Sequence, residues 1–467
     1  MIDVLIAGGG ISGLAAARDL TRAGRRVRLI EAGSRLGGVI ATEQIEGMTV
    51  EAGPDSLLMT KPAAAALCDE LGLPLVPTQT PRTAYILRDG ALHAIPKGSV
   101  LGIPATPDAI EQASMLSPAG RARVARDLTE PSPAPRDEEE SIGAVVRRRF
   151  GDEAVRYLAQ PLLGGIHAGD VERLSIRALF PRMAALDREP GSLLQALTRD
   201  RKSDNEGNEG MFRSLPGGLG TLIDAIAHEL PVDVVSLGIS VRKLDANPRG
   251  GFIATLSTGE RVETRAAILA VPAYVVASIV ASIDTPLAHV CDSIPYSSSA
   301  TITLAYRRDD VRDPLVGTGF VVPRGESATR LIGASWVTSK WANRAPADTI
   351  MLRAFAGGTL DRDLLDRDDA DLVTLAHTDL AALHGLRARP FFARVYRWLN
   401  AGPQYEVGHL TRVASIDTRL TWHPGLFVTG SAFRGVGIPD TVADARGVAE
   451  QVHRWLGVGA ADKMSDA

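Results

Sequence analysis

Apolar residues run in short unbroken blocks near the start, middle and end of the chain, and recur at helical spacing between them. Val4, Leu5 and Ile6 form the first block, which suits a parallel strand covered on both faces. Leu14 to Leu20 carries helix formers and no breaker, and Val27 to Ile30 is a second apolar strand. Lys61 to Leu71 reads as a helix, opened by Pro62 and stopped by Gly72. Asp89-Gly90 between the apolar runs Ala84 to Leu87 and Ala91 to Ile95 predicts a hairpin. From about Asp108 to Phe180 the pattern turns helical. There Ile142, Val145, Val146 and Phe150 share one helical face. Acids from Asp137 to Glu140 start that helix, Arg147-Arg148-Arg149 end it, Gly151 stops it, and Asp152 is placed to cap the next. Strands are expected at Val232 to Val235, Ile239 to Leu244, Gly251 to Leu256 and Arg261 to Ala270. More follow at Ser298 to Tyr306, Gly319 to Val322 and Leu331 to Val337. Gly425 to Gly430 is a final buried strand before a helix from Thr441 to Leu456. Pro131 to Pro135 and the polar stretch Ser203 to Gly210 read as loops, and Ala401-Gly402-Pro403 as a turn.

A chain of 467 residues predicts two or three domains. Hydrophobic residues at 45% and charged residues at 23% are ordinary for a soluble protein, and a net charge of −4 gives nucleic acid no foothold. Cys68 and Cys291 have neither metal-ligand nor redox-pair spacing, so reduced thiols and no metal are expected. The first strand begins at the N-terminus, which leaves no room for a signal peptide, and no apolar run approaches the roughly 18 residues of a spanning helix. Acids slightly outnumber arginines between Asp108 and Phe180, so the triple arginine reads as a solvated, dipole-compensating cluster rather than a membrane patch. His93 reads as a strand residue facing solvent or a loop.

The chemistry enters through glycine. Gly8, Gly10 and Gly13 follow a strand and open a helix, which permits a tight turn, close approach of a pyrophosphate, and close helix–strand packing. Glu31 ends the second strand 18 residues past Gly13, near the roughly 20 at which a carboxylate reaches a ribose and repels a 2′-phosphate. Ser34 to Val39 and Glu51 to Ser56 make two further glycine turns that nicotinamide enzymes seldom need. Together these motifs resemble the FAD-binding, amine-oxidase-like flavoproteins. Within them, Gly151 to Pro181, with Pro161 to Asp170 at its centre, closely resembles the internal signature of the protoporphyrinogen and coproporphyrinogen oxidases.

That resemblance implies an α/β fold: a Rossmann-like FAD domain from residues 1–60, 205–272 and 394–467, a mixed-sheet substrate domain from 73–95 and 273–393, and a helical domain at 96–204 that caps substrate or faces a membrane. It implies non-covalent FAD held by Gly8, Gly9, Gly10, Ile11, Ser12 and Gly13, by Glu31 and Ala32, and by Arg35, Gly38 and Val39 of the second turn. Gly53, Pro54, Asp55 and Ser56 would run beside the flavin, Val241 would meet the adenine end, and Trp398 would complete the wall. Gly430, Ser431, Ala432, Phe433, Val436, Gly437 and Ile438 would close the site and aim a helix dipole at the flavin. Gly165, Val311, Val321 and Trp341 would line the substrate slot, with Trp341 stacking on a pyrrole or else serving only as a core anchor. Arg82 and Arg88 lie near where relatives hold a propionate. The reaction implied is oxidation of protoporphyrinogen IX or coproporphyrinogen III by oxygen, with peroxide released. The flavin carries the chemistry, so no catalytic side chain is expected, and His93, His167 and His409 are dispensable as bases. The implied setting is cytoplasmic or peripheral to the inner membrane face, with transient hand-over to the next haem-pathway enzyme. An amine oxidase, a desaturase and a non-catalytic flavoprotein are the alternatives. The only lysine placed for an amine oxidase, Lys340, falls in an expected loop.

Overall fold

The computed structural model describes residues 2–130, 138–203, 210–325 and 329–465. Pro131 to Pro135 and most of Ser203 to Gly210, the two expected loops, lie outside them. Two seven-stranded sheets dominate the described residues. The first has a parallel centre in which Ile2–Ala7 lies between Val27–Ile30 and Arg261–Leu269, with Leu426–Val428 on the far side of the last. The pairing Val4↔Ala266 and Ile6↔Ile268 explains the unbroken apolar blocks. Val4 and Ile6 enter the core beneath helices Ile11–Arg22 and Ile438–Ser465, while Leu5 and Ala7 enter the core beneath Ala273–Val280 and His409–Leu420. A strand buried on both faces has no polar face to alternate with.

The second sheet runs in the order Phe392–Pro403, Tyr296–Arg307, Thr349–Gly357, Gly333–Trp336, Gly319–Val321, Ala84–Arg88, Ala91–Ala94. One face, with Ile302, Leu304, Leu352 and Ala354, packs under the helix Asp369–His384. The hairpin at Arg88–Ala91 turns through Asp89 at φ 51° and Gly90 at φ 74°, the left-handed pair that such tight turns require. A further core, around Val145, Phe150, Leu158 and Leu194, belongs to the helical segment and also takes in Ile86 of the sheet.

Several expectations are corrected. Phe392–Pro403, expected from residue 394 onward in the nucleotide-binding segment, is an edge strand of the second sheet, and its Gly402-Pro403 is strand rather than turn. Helices Ala273–Val280 and Thr285–Asp292, expected with the substrate sheet, pack on the first sheet. The closing helix starts at Ile438 rather than Thr441. Ser141, not the acids before it, caps Ile142–Phe150, and Asp152 makes no cap bond to the next helix. The arginine cluster is only partly solvated: Arg147 is exposed, whereas Arg149 is fully buried against Asp187 at 2.7 Å and Asp127 at 3.3 Å. The chain before Gly165 forms a π-helix, Val155–Gly164, with Pro161 inside it. Proline lacks an N–H and so breaks the α ladder, and a wider helical turn accommodates the loss.

Candidate flavin and substrate site

Residues far apart in sequence converge at the C-terminal ends of the parallel strands. The Gly37 N–H donates to the Gly9 carbonyl at 2.8 Å, and Gly10 bridges Gly37. A Cβ on Gly13 would lie 1.9 Å from the Gly8 carbonyl oxygen, and one on Gly53 1.9 Å from the Val39 oxygen. No side chain fits either approach. A Cβ on Gly10, by contrast, would meet nothing within 4 Å, so this backbone borders open space. The first and last glycine turns are neighbours, since a Cβ on Gly430 would be 4.0 Å from Ser12 Oγ.

Glu31 closes one end of this cradle. Its two carboxylate oxygens accept from the N–H of Gly9 at 2.6 Å and of Gly33 at 2.7 Å. Each oxygen retains a further lone pair for a ribose hydroxyl. The N–H of Ile239 bonds the Glu31 carbonyl, which brings the strand start at Val241 to the same corner, beside Ala32. Arg35 donates to the carbonyls of Leu36, Ile40 and Gly38, so it clamps the second turn from within. Val39, 43% exposed, faces out of that turn. At the other end Trp398 Nε1 donates to the Ala52 carbonyl at 2.8 Å, and Arg353 Nη1 to those of Glu51 and Gly53. The turn through Pro54 and Ser56 is thus held by the second sheet.

The Asp55 carboxylate is committed elsewhere than the cradle. It is buried and accepts from Lys340 Nζ at 2.9 Å, Trp341 Nε1 at 3.2 Å and Ser56 Oγ at 2.9 Å, with Arg353 at 3.5 Å. Burial raises its pKa, but the Lys340 and Arg353 charges overcome that and hold it well below the usual carboxylate range. Glu51, also buried, is raised: desolvation outweighs the bonds from Thr42 and the Leu219 N–H. Lys340 ends a short helix, Val337–Lys340, rather than standing in a loop, and its ammonium is taken up by Asp55.

The substrate-slot residues divide. Gly165 faces Ile332, whose Cγ2 would lie 3.8 Å from an added Cβ. Val321 pairs with Gly333, next to Ile332, and packs toward the helical core. Val311 is not brought to these residues: it bridges Leu386 and packs on the opposite face of the sheet. Trp341 is 1% exposed and buried with Met48, Val50 and Met351, which is the anchor position rather than a free aromatic wall. Trp341→Leu therefore lowers stability by about 2–3 kcal/mol and leaves substrate KM unchanged; denaturant curves and substrate titration on one preparation check both. Arg88 donates to the Met115 carbonyl and lies over the Tyr157 ring at 4.3 Å, while Arg82 donates to Thr78 Oγ1.

His93 sits on the hairpin beside Ser114 Oγ at 2.9 Å. Burial, then the Lys61 charge, lowers His167 to about 4, and burial lowers His409 to about 4. Burial pushes Cys68 up to about 11 and Cys291 up to about 12, so both thiols are inert. Among the described residues no His, Cys, Asp and Glu cluster could hold a metal, and no helix is long and apolar enough to cross a membrane. Arg353, which holds the Gly53 turn, was missed, and an arginine inside the apolar run Ile350 to Ala356 was the available signal.

A parallel-centred sheet, interlocked glycine turns, a carboxylate bonded to the first of them and a closing helix define a Rossmann-like, dinucleotide-binding class of fold, with a second sheet beside it. The chain belongs to the flavin containing amine oxidoreductase family, whose model matches residues 11–453. The coproporphyrinogen III oxidase of Bacillus subtilis strain 168 is 32% identical over 97% of this chain and 98% of its own. That of Staphylococcus aureus is 28% identical over 96% and 98%. A crystal structure from Exiguobacterium sp. 255-15, provisionally assigned as a protoporphyrinogen oxidase, superposes with a TM-score of 0.86 at 32% identity, covering 97% and 98%. Putrescine oxidase shares the fold at 20% identity and a TM-score of 0.71. The cofactor is FAD, and the open backbone at Gly10, the packed glycines around it and the free lone pairs of Glu31 fit it.

Proposed function

We propose that this chain oxidises a porphyrinogen, either protoporphyrinogen IX or coproporphyrinogen III, in porphyrin biosynthesis. The observation that carries this reading is the near end-to-end match to coproporphyrinogen III oxidases. When bound, FAD supplies the two-electron acceptor, which oxygen restores with release of hydrogen peroxide. Glu31 would hold the ribose and the turns at Gly10 and Gly38 would hold the pyrophosphate, while Trp398 and Arg353 fix the Gly53 turn. FAD is non-covalent in this reading, since Cys68 and Cys291 are buried in the cores on either side of the first sheet. Gly165, Val321 and Ile332 would supply apolar contacts for a flat ring. The amine-oxidase alternative loses support because Lys340 is bound to Asp55. The setting is cytoplasmic or peripheral to the inner membrane face, with the product passed transiently to the next haem-pathway enzyme.

Anaerobic addition of porphyrinogen should bleach the bound flavin, amines should not, and oxygen should then yield peroxide. Bleaching by an amine alone would overturn the reading. His93→Gln and His167→Gln should each keep turnover within about tenfold, because a required general base contributes roughly 10²–10⁴-fold. Steady-state rates at equal FAD occupancy test this.

A further inference from the structure

Three alternate backbone groups of the closing loop are held from one side by two stacked rings. The Tyr405 hydroxyl donates to the Ser431 carbonyl at 2.8 Å and accepts from the Gly435 N–H at 2.8 Å. His409 Nε2 faces the Phe433 carbonyl at 3.1 Å. A carbonyl only accepts, so Nε2 carries the proton, and Nδ1 is left bare and without a partner. The two rings stack with centroids 3.6 Å apart and 13° between planes, and both are buried, Tyr405 at 2% and His409 at 0% exposure. Gly435, at φ 148°, has no space for a side chain, because a Cβ would fall 2.2 Å from Asp440 Cβ. The loop therefore has one permitted path, and residues 431, 433 and 435 are tied to the ring pair along it.

The other side of the same short segment is tied to the helical part of the chain. The Ser175 N–H donates to the Tyr405 carbonyl at 2.8 Å, and the Val407 N–H to the Arg173 carbonyl at 2.9 Å. Leu174 bridges Glu406, the Gly408 N–H donates to Glu139 at 2.8 Å, and Gln404 Nε2 donates to the His167 carbonyl at 2.9 Å. His167 lies two residues past Gly165.

We propose that Tyr405 and His409 are positioning residues: they set the closing loop for the flavin and couple that loop to the helical segment around Gly165 and Ser175. The ties hold Ser431, Phe433 and Gly435, past the end of the strand Leu426–Val428, to the ring pair. Displacement of the 173–175 segment is transmitted through Tyr405 to Ser431 and Gly435. This assignment rests on FAD binding and not on the identity of the porphyrinogen.

Tyr405→Phe keeps the ring stack and deletes both loop bonds. With deflavinated protein titrated with FAD and followed by flavin fluorescence, the dissociation constant should rise about tenfold or more, and the visible flavin bands should shift. His409→Phe deletes one bond and should give a smaller rise. A merely structural role would lower the melting temperature of the FAD-free protein and leave the dissociation constant and the flavin bands unchanged. Either variant, once folded, binding FAD as the wild type does overturns the assignment. Amide exchange on the FAD-loaded wild type needs no variant: Gly435 N–H should be strongly protected, and rapid exchange there also overturns it. Normal FAD effects with no porphyrinogen bleaching would instead remove the proposed substrate and leave this assignment standing.

Discussion

Glu31→Ala raises the dissociation constant of FAD more than 100-fold and gives protein that purifies largely without flavin. The carboxylate orients the first turn through the Gly9 N–H and the corner through the Gly33 N–H. It also offers charge-assisted acceptors to two ribose hydroxyls, each worth roughly 1.5–3 kcal/mol. The lower sum, about 3 kcal/mol, already exceeds 100-fold in affinity. Alanine removes the acceptors and leaves two backbone donors without partners. Fluorescence titration of deflavinated protein measures the change, and an affinity within tenfold of wild type would mean that Glu31 is only a fold element.

Asp55→Ala destabilises the folded protein by about 3–5 kcal/mol, because it leaves Lys340 and Arg353 buried without their counter-charge. The same site predicts a pH dependence. The folded-state pKa of Asp55 is depressed below its unfolded value, which lies near 3.9. Its contribution is therefore fully present above about pH 4 and is lost as pH falls further toward the folded value. Denaturant unfolding at pH 7 should show the full loss, and the variant should lose stability less steeply than wild type below pH 4. Equal stability of the two proteins at pH 7 would sink the idea that this pair of cations needs Asp55.

What could be read from the sequence was local. Residues 2–22 declare strand, turn and helix because the glycine spacing and the apolar block are both short-range. The approach of Glu31 to the first glycine turn was legible because one helix and one strand set that distance. Trp341 was not, because its direction depends on Asp55, which lies 286 residues away. Val311 failed for a related reason: the face of a sheet that a residue beside a strand joins depends on the bridge it makes, here to Leu386. Thr349–Gly357 escaped notice because a strand covered on both faces shows no alternation, and its one charge, Arg353, points at a turn 300 residues earlier. Tyr405 has no local signal at all; only the fold places its hydroxyl between Ser431 and Gly435.

The parallel centre of the first sheet has a consequence for how the protein is made. Ile2–Ala7 leaves the ribosome long before its neighbour Arg261–Leu269, and Leu426–Val428 follows later still. During most of synthesis the leading strand and helix carry apolar faces with nothing to cover them. Long-range pairing of this kind is slow to form and exposes sticky intermediates. The nascent chain should therefore depend on chaperone shelter until Leu426–Val428 is released, and FAD should enter only after that strand has paired.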